Sequence, residues 1–414
     1  MDHSRLTPAS VLHWNYRGFT EFPLQRLSGE ESEITDIYLK ENLITRVPSE
    51  ICRLENLESL YLSGNDLVEL PAEISKLSCL KCLDVSGNRL RSLPAEIGKV
   101  LALKFLILDE NELTEIPLRI AELRSLRYLS VCDNKLQWLP QRPVYNYFHC
   151  EFRFWRNASL KSIPYSLWYH MFREQQTRSL NIGCLIIPKH DHLTRNNRCR
   201  LKINKHSRTW EYDLDCPPYH FTVFDSSSAS PPSLYELSKR TFYQTISDTA
   251  KELAEQNSCM LWDNTNYYCS RNSDNLTNLD NVVSYEKDSY NDTDVNGNEL
   301  GDESRINDNW SHQNNGNKTV KKVNCVPADV IETHYSFLPK FMKHELCNGP
   351  ISRCENVSCK KPLFDYVHYE FCVGTITLID NAEDIILSAA LCSKKCSETW
   401  KRGKHNLLTW KLLQ

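Results

Sequence analysis

Asn42, Asn65, Asn88, Asn111, Asn134 and Asn157 fall at a constant interval of 23 residues. Around them one frame recurs, seen most plainly as Leu57-x-x-Leu60-x-Leu62-x-x-Asn65-x-Leu67-x-x-Leu70-Pro71-x-x-Ile74. It returns through Leu80, Leu83, Val85, Asn88 and Pro94, and again through Leu103, Leu106, Leu108, Asn111 and Pro117. A unit this short cannot bury its own apolar side, so such units must stack and share one continuous core. The asparagine suits the exit of each strand, where its amide can hydrogen-bond backbone groups that a buried turn leaves without partners.

This pattern is the leucine-rich repeat, and the expected architecture is an α/β solenoid, a short curved horseshoe with a parallel sheet on its concave face. The leucines point inward, so alternate positions face the concave side. That assigns Tyr38 and Lys40, then Tyr61, Asp84, Phe105, Ile107 and Tyr128 to the open face. The irregular last rung adds Arg153, Trp155 and Arg156. Aromatic and arginine side chains are enriched among interface anchors, so Tyr61, Phe105, Tyr128, Trp155 and Arg156 are the expected substrate groove. The plainer explanation is that strand ladders favour aromatics whatever they bind. Residues 1–33, with Trp14 to Phe22 as a degenerate repeat, are expected to cap a solenoid spanning 34–167.

A net charge of −4 with mixed signs excludes a general nucleic-acid or membrane-surface footprint. No apolar leader opens the sequence, and the longest apolar stretch, Ile376 to Leu391, is broken by Asp380, Glu383 and Asp384. The expected compartment is therefore the cytoplasm or nucleus, where the 17 cysteines are thiols or metal ligands and sequons such as Asn157 go unused. Residues 257–327, rich in Asn, Asp and Ser, are expected to be a disordered insertion. In the irregular flank, 168–230, Arg200 to Asn204 and Tyr219 to Phe224 alternate like strands.

Two motifs follow the flank. In 231–256, Leu234, Leu237, Ser238, Thr241 and Phe242 share one face of an expected helix, with Ser233 and Glu236 at capping-box spacing. In 347–414, the pairs Cys354/Cys359 and Cys392/Cys396 read as a zinc knuckle, each short loop delivering two thiolates to one structural Zn²⁺. Buried structural thiols are the alternative, and Cys347, Cys372, His344 and His368 are spare ligands. Between them, in 328–346, lies Tyr335-Ser-Phe-Leu338-Pro339-Lys-Phe-Met342.

Taken in order, these segments resemble the leucine-rich-repeat substrate receptors of elongin–cullin ubiquitin ligases. Pro232-Ser-Leu234-x-x-x-Ser238-x-x-x-Phe242 is similar to the elongin box, and Leu338-Pro339-x-x-Met342 to the cullin-selecting box in its cullin-2 rather than cullin-5 form. The chain departs from that pattern in the long interval between the two boxes and in carrying Phe at 242. The resemblance implies a non-catalytic adaptor. Leu234, Ser238 and Phe242 would dock on elongin B/C, Leu338 and Pro339 would bias cullin choice, and the repeats would hold the protein to be ubiquitinated. A free-standing signalling scaffold is the alternative; it requires Leu234 to be buried within the protein itself.

Overall fold

The computed structural model of the protein describes residues 10–27, 29–123, 125–140, 150–171, 198–205, 208–216, 222–224, 231–256, 328–377 and 382–413. The expected disordered insertion, 257–327, lies outside the described residues. The repeats contribute β1 (Ser10–His13), β2 (Ile34–Tyr38), β3 (Ser59–Tyr61), β4 (Cys82–Asp84), β5 (Phe105–Ile107), β6 (Tyr128–Ser130) and β7 (Glu151–Arg153), a parallel sheet in chain order. Leu60, Leu83, Leu106 and Leu129 stand opposite one another across it, so the sequence period is also the register.

The strands are short because the chain turns straight after them. Glu41, Gly64, Gly87, Glu110, Asp133 and Arg156 all have positive φ, and each immediately precedes a ladder asparagine. The asparagines then satisfy the turn. Asn111 donates Nδ2 to the Val85 carbonyl one repeat back at 3.0 Å and to the Leu108 carbonyl at 3.1 Å, while its Oδ1 accepts from Leu90 N at 3.0 Å. Asn65, Asn88, Asn134 and Asn157 make the same set. Asn157 is thus committed to the ladder and buried, which closes its sequon to glycosylation. Asn42 plays this part at the cap, its Oδ1 accepting from Arg17 N and Phe19 N.

On the convex side Pro48, Pro71, Pro94 and Pro117 hold extended φ/ψ and lead into five-residue 3₁₀ turns that bury Ile51, Ile74, Ile97 and Ile120. Proline presets φ and needs no N–H partner there. These turns pack closely: a Cβ on Gly98 would lie 2.3 Å from the Arg119 carbonyl oxygen.

Past the repeats come β8 (Ile163–Pro164), α1 (Tyr165–Met171), β9 (Arg198–Lys205), β10 (Arg208–Asp215), β11 (Thr222–Phe224), α2 (Leu234–Gln256), α3 (Ala328–His334) and α4 (Lys340–Asn348). The chain ends with β12 (Ser352–Arg353), β13 (Pro362–Leu363), β14 (Tyr366–Thr377), β15 (Ala382–Leu391), α5 (Lys394–Lys401) and β16 (Thr409–Leu413). The strand-like alternation of the flank resolves into β9 and β11, and both pair with the C-terminal segment. β9 lies between β10 and β16, and β11 joins a sheet of order β11-β14-β15-β8. β8, the tail of the last repeat, pairs in parallel with β15 through Ile163 opposite Leu387 and Pro164 opposite Ser388. β15 is a near-continuous apolar run, Ile385 to Leu391, because it is covered on both faces. One apolar core runs from Phe22 through every repeat into β14, β15 and Trp400. Among the described residues no helix is long and apolar enough to cross a membrane.

Candidate functional site

The four cysteines expected to bind metal converge. Cys354 and Cys359 flank a turn between β12 and β13 in which Lys360 has positive φ and Cys359 N donates to the Asn356 carbonyl at 2.9 Å. Cys392 follows β15, and Cys396 sits in the first turn of α5, whose N-cap Ser393 accepts from Cys396 N. Their sulfurs all lie within 4.8 Å of one another, with Cys392 Sγ 3.5 Å from both Cys359 Sγ and Cys396 Sγ. Metal–sulfur bonds of about 2.3 Å would place tetrahedral sulfurs about 3.8 Å apart, so this donor set fits a metal ion with little movement. Hydrogen bonding from Cys354, then from Cys396 and Cys359, holds the Cys392 thiol down at about 5. Burial pushes Cys359 up to about 11, and the bond to Cys392 with burial raises Cys354. Four thiols leave no open coordination position, so a metal held here is structural. The spare candidates Cys347, Cys372, His344 and His368 are not in the cluster.

Helix α2 is fixed to this centre by its charged face. Glu236, Lys239 and Arg240 are buried, whereas Leu234, Leu237 and Phe242 are 82%, 42% and 37% exposed. Arg240 donates Nε to Glu236 at 2.5 Å, Nη2 to the Tyr366 carbonyl at 2.8 Å and Nη1 to the carbonyl of Cys392, itself in the cysteine cluster, at 3.2 Å. Glu236 also accepts from the backbone N–H groups of Phe364 and Asp365 at 3.3 Å. Burial and the adjacent Asp365 push its carboxyl up to about 7 against the pull of Arg240. Lys239 Nζ reaches Glu345 at 3.0 Å and Asp365 at 3.4 Å. Ser233 caps the helix by accepting from Glu236 N, but the reciprocal half of the expected capping box is absent: Glu236 turns inward to the ion network. On the outer face Ser238 and Thr241 hydroxyls donate to the helix carbonyls of Leu234 and Leu237, which leaves that face smooth and apolar.

Helix α2 and the Leu338 segment, far apart in sequence, meet in space. Tyr243, Ile246 and Ala250 of α2 form one buried cluster with Val330 and Ile331 of α3, Leu338, Leu346 of α4 and Phe364. Tyr335 Oη donates to Thr249 Oγ1 at 3.2 Å. Leu338 is therefore an interior residue at 6% exposure, and Pro339, Phe337 and Phe341 present the outer surface. Phe341 lies 6.3 Å from the Tyr235 ring, so the exposed apolar faces of α2 and α4 adjoin.

On the concave face Tyr61 stacks on Tyr38 at 4.6 Å, Tyr38 on His13 at 4.8 Å, and Lys40 lies 4.9 Å over Tyr61. Burial raises the Tyr61 hydroxyl. Phe105 is exposed, and Tyr128 is half-buried beneath the Arg153 guanidinium at 5.3 Å. Trp155 is half-buried, packed against the edge of the core with its ring 4.9 Å from Phe154. Arg156 is exposed and pairs with Asp133. His13 and Arg153 are additions that the repeat frame did not single out as anchors. Tyr38, already on the open face by the repeat frame, belongs with the anchors, because it stands 23 residues before Tyr61 and stacks on it.

A family model described as Leucine Rich Repeat matches residues 56–77 and 79–100. No curated protein matches the chain. Among solved structures, a leucine-rich-repeat protein of Leptospira interrogans is 33% identical over 35% of this chain, with a TM-score of 0.31. The match spans about a third of that protein's length, 36%. With the period, the parallel sheet and the asparagine ladder, the family match identifies the N-terminal part of this chain as a leucine-rich-repeat solenoid.

Proposed function

We propose that this chain is the substrate receptor of an elongin B/C–cullin–RING ubiquitin ligase, an adaptor without chemistry of its own. The observation that carries this reading is the inverted burial of α2. Its charged residues are bolted to the cysteine centre, while Leu234, Leu237 and Phe242 face outward without cover. A helix whose first turns bury Glu236, Lys239 and Arg240 and expose Leu234 and Leu237 is suited to place an apolar face in a partner's groove. The scaffold alternative needs Leu234 to be part of the protein's own packing, and its exposure speaks against that. Leu338 supports the neighbouring cullin contact from beneath, and Pro339, Phe337 and Phe341 would touch it, with cullin 2 favoured over cullin 5. The four cysteines hold Zn²⁺, which fastens the loop that Arg240 grips. The solenoid presents the target protein on its concave face, the mode of recognition that leucine-rich repeats support.

The test is binding of purified elongin B/C to wild type and to Leu234→Asp, followed by recovery of cullins 2 and 5 from lysate on each. Wild type should bind elongin B/C and recover cullin 2. The variant should lose both while keeping its metal and its melting temperature. Failure of a folded, metal-loaded wild type to bind elongin B/C returns the chain to a non-enzymatic repeat scaffold.

A further inference from the structure

A basic edge borders the concave face where its strands begin. Lys81, Lys104 and Arg127 occupy the position just before β4, β5 and β6. Backbone bonds from Lys104 N to the Lys81 carbonyl (2.7 Å) and from Arg127 N to the Lys104 carbonyl (2.8 Å) hold them in register, one strand spacing of about 4.8 Å apart. Toward the other end of these rungs, at three different positions of the repeat, stand Asp84, Asp109 and Asp133. The two sets are not equivalent. Asp84 pairs with Lys40, Asp109 accepts from Ser130 Oγ at 2.6 Å and Cys132 N at 2.7 Å, and Asp133 pairs with Arg156. Glu58, at the same position one rung earlier, pairs with Lys81 at 2.6 Å, but among the described residues no carboxylate forms an ion pair with Lys104 or Arg127. Burial, with the charges of Arg127 and Lys81, lowers the Lys104 ammonium, as expected of a cation crowded by its own kind. Next to Lys104, Phe105 at the start of β5 is 43% exposed, where the other repeats carry Ser59, Cys82 and Tyr128.

We infer that this face binds an extended protein segment in which one or two carboxylate side chains lie beside a large apolar one. The carboxylates pair with Lys104 and Arg127, and the apolar group packs on Phe105. A nucleic-acid backbone is a poor occupant, because its phosphates would meet the aspartates on the same rungs. Those aspartates are already satisfied from within the protein, so Lys104 and Arg127 supply the selectivity and Phe105 the anchor. In the receptor proposed above this segment is the feature by which a target is chosen; the inference rests on that reading for its role, not for the binding.

A random-sequence peptide display library, selected on immobilised full-length chain, is the probe. Wild type should enrich Asp or Glu next to Leu, Ile, Phe or Trp. The double variant Lys104→Glu/Arg127→Glu should enrich Lys or Arg at those positions instead, and Phe105→Ala should lose the apolar preference. The consensus peptide, synthesised, should bind Lys104→Gln/Arg127→Gln about tenfold or more weakly than wild type. That neutral variant answers the question if charge reversal unfolds the solenoid. No enrichment on wild type, or enrichment unchanged by these substitutions, overturns the inference. Elongin B/C binding by the same proteins separates the two failures: acidic enrichment without elongin binding sinks the receptor reading alone, and elongin binding without acidic enrichment sinks this one alone.

Discussion

Along the solenoid each asparagine closes the hydrogen bonds that its predecessor closed 23 residues earlier. Beyond Ile163 nothing repeats: one ion network and one cysteine centre hold α2, α5 and the β14–β15 hairpin in relation. The first region spreads its polar burial over many equivalent small sites. The second gathers it into a few residues, each with several partners. Damage should therefore stay local and graded in the repeats, and be shared by several elements at once in the C-terminal part.

The sharpest break in that comparison is Cys392→Ser. It should take bound zinc from one per chain to none, measured by elemental analysis. It should also abolish hydrogen-exchange protection across α2, β15 and α5 together, because a structural zinc contributes on the order of 10 kcal/mol to the fold around it. The repeats around Asn88 should keep their protection. If α2 stays protected without metal, the centre is not what holds that helix. Next in size is Asn111→Ala, which strands Leu90 N and removes one of two asparagine donors from each of the Val85 and Leu108 carbonyls, which keep Asn88 and Asn134. Denaturant titration should show a loss of about 2–6 kcal/mol, since a stranded buried donor costs about 1–3 and each lost hydrogen bond about 0.5–1.5. Exchange should rise in the flanking repeats and not in α5. Leu338→Ala, in the α2–α3–α4 cluster, should cost about 2–4 kcal/mol. Leu234→Ala should cost under about 0.5 kcal/mol in the same assay, because it removes an exposed side chain. Equal losses for these last two would mean that Leu234 is packed after all, and with it would go the argument for a docking face.

The two regions were also unequally legible. A fixed period carries its own register, so the sheet, the inward leucines and the asparagine ladder follow from the residues alone. The cysteine pairs were legible for a similar reason: each is a short local spacing that a turn or a helix start can deliver. The ion network was not. Glu236, Lys239 and Arg240 read as the solvated side of an amphipathic helix, and only tertiary pairing with Asp365, Tyr366 and Cys392 turns that side inward. Leu338 was read as a surface determinant because a motif names residues without saying which of them face out; its neighbours Phe337 and Phe341 do. The role of 198–224 could not be read either, because its strand partners lie at the other end of the chain.

The pairing of β8 with β15 has a consequence in time. The repeats can stack as they leave the ribosome, each on the one before. The open end at Ile163, however, waits for Leu387, more than two hundred residues later. At about 5–20 residues per second, that is roughly 10 to 45 s of synthesis during which the newest edge of a growing apolar stack has no cover of its own. A later-made strand thus seals an earlier one, and a chain cut short before β15 would carry a finished binding face on an unsealed core.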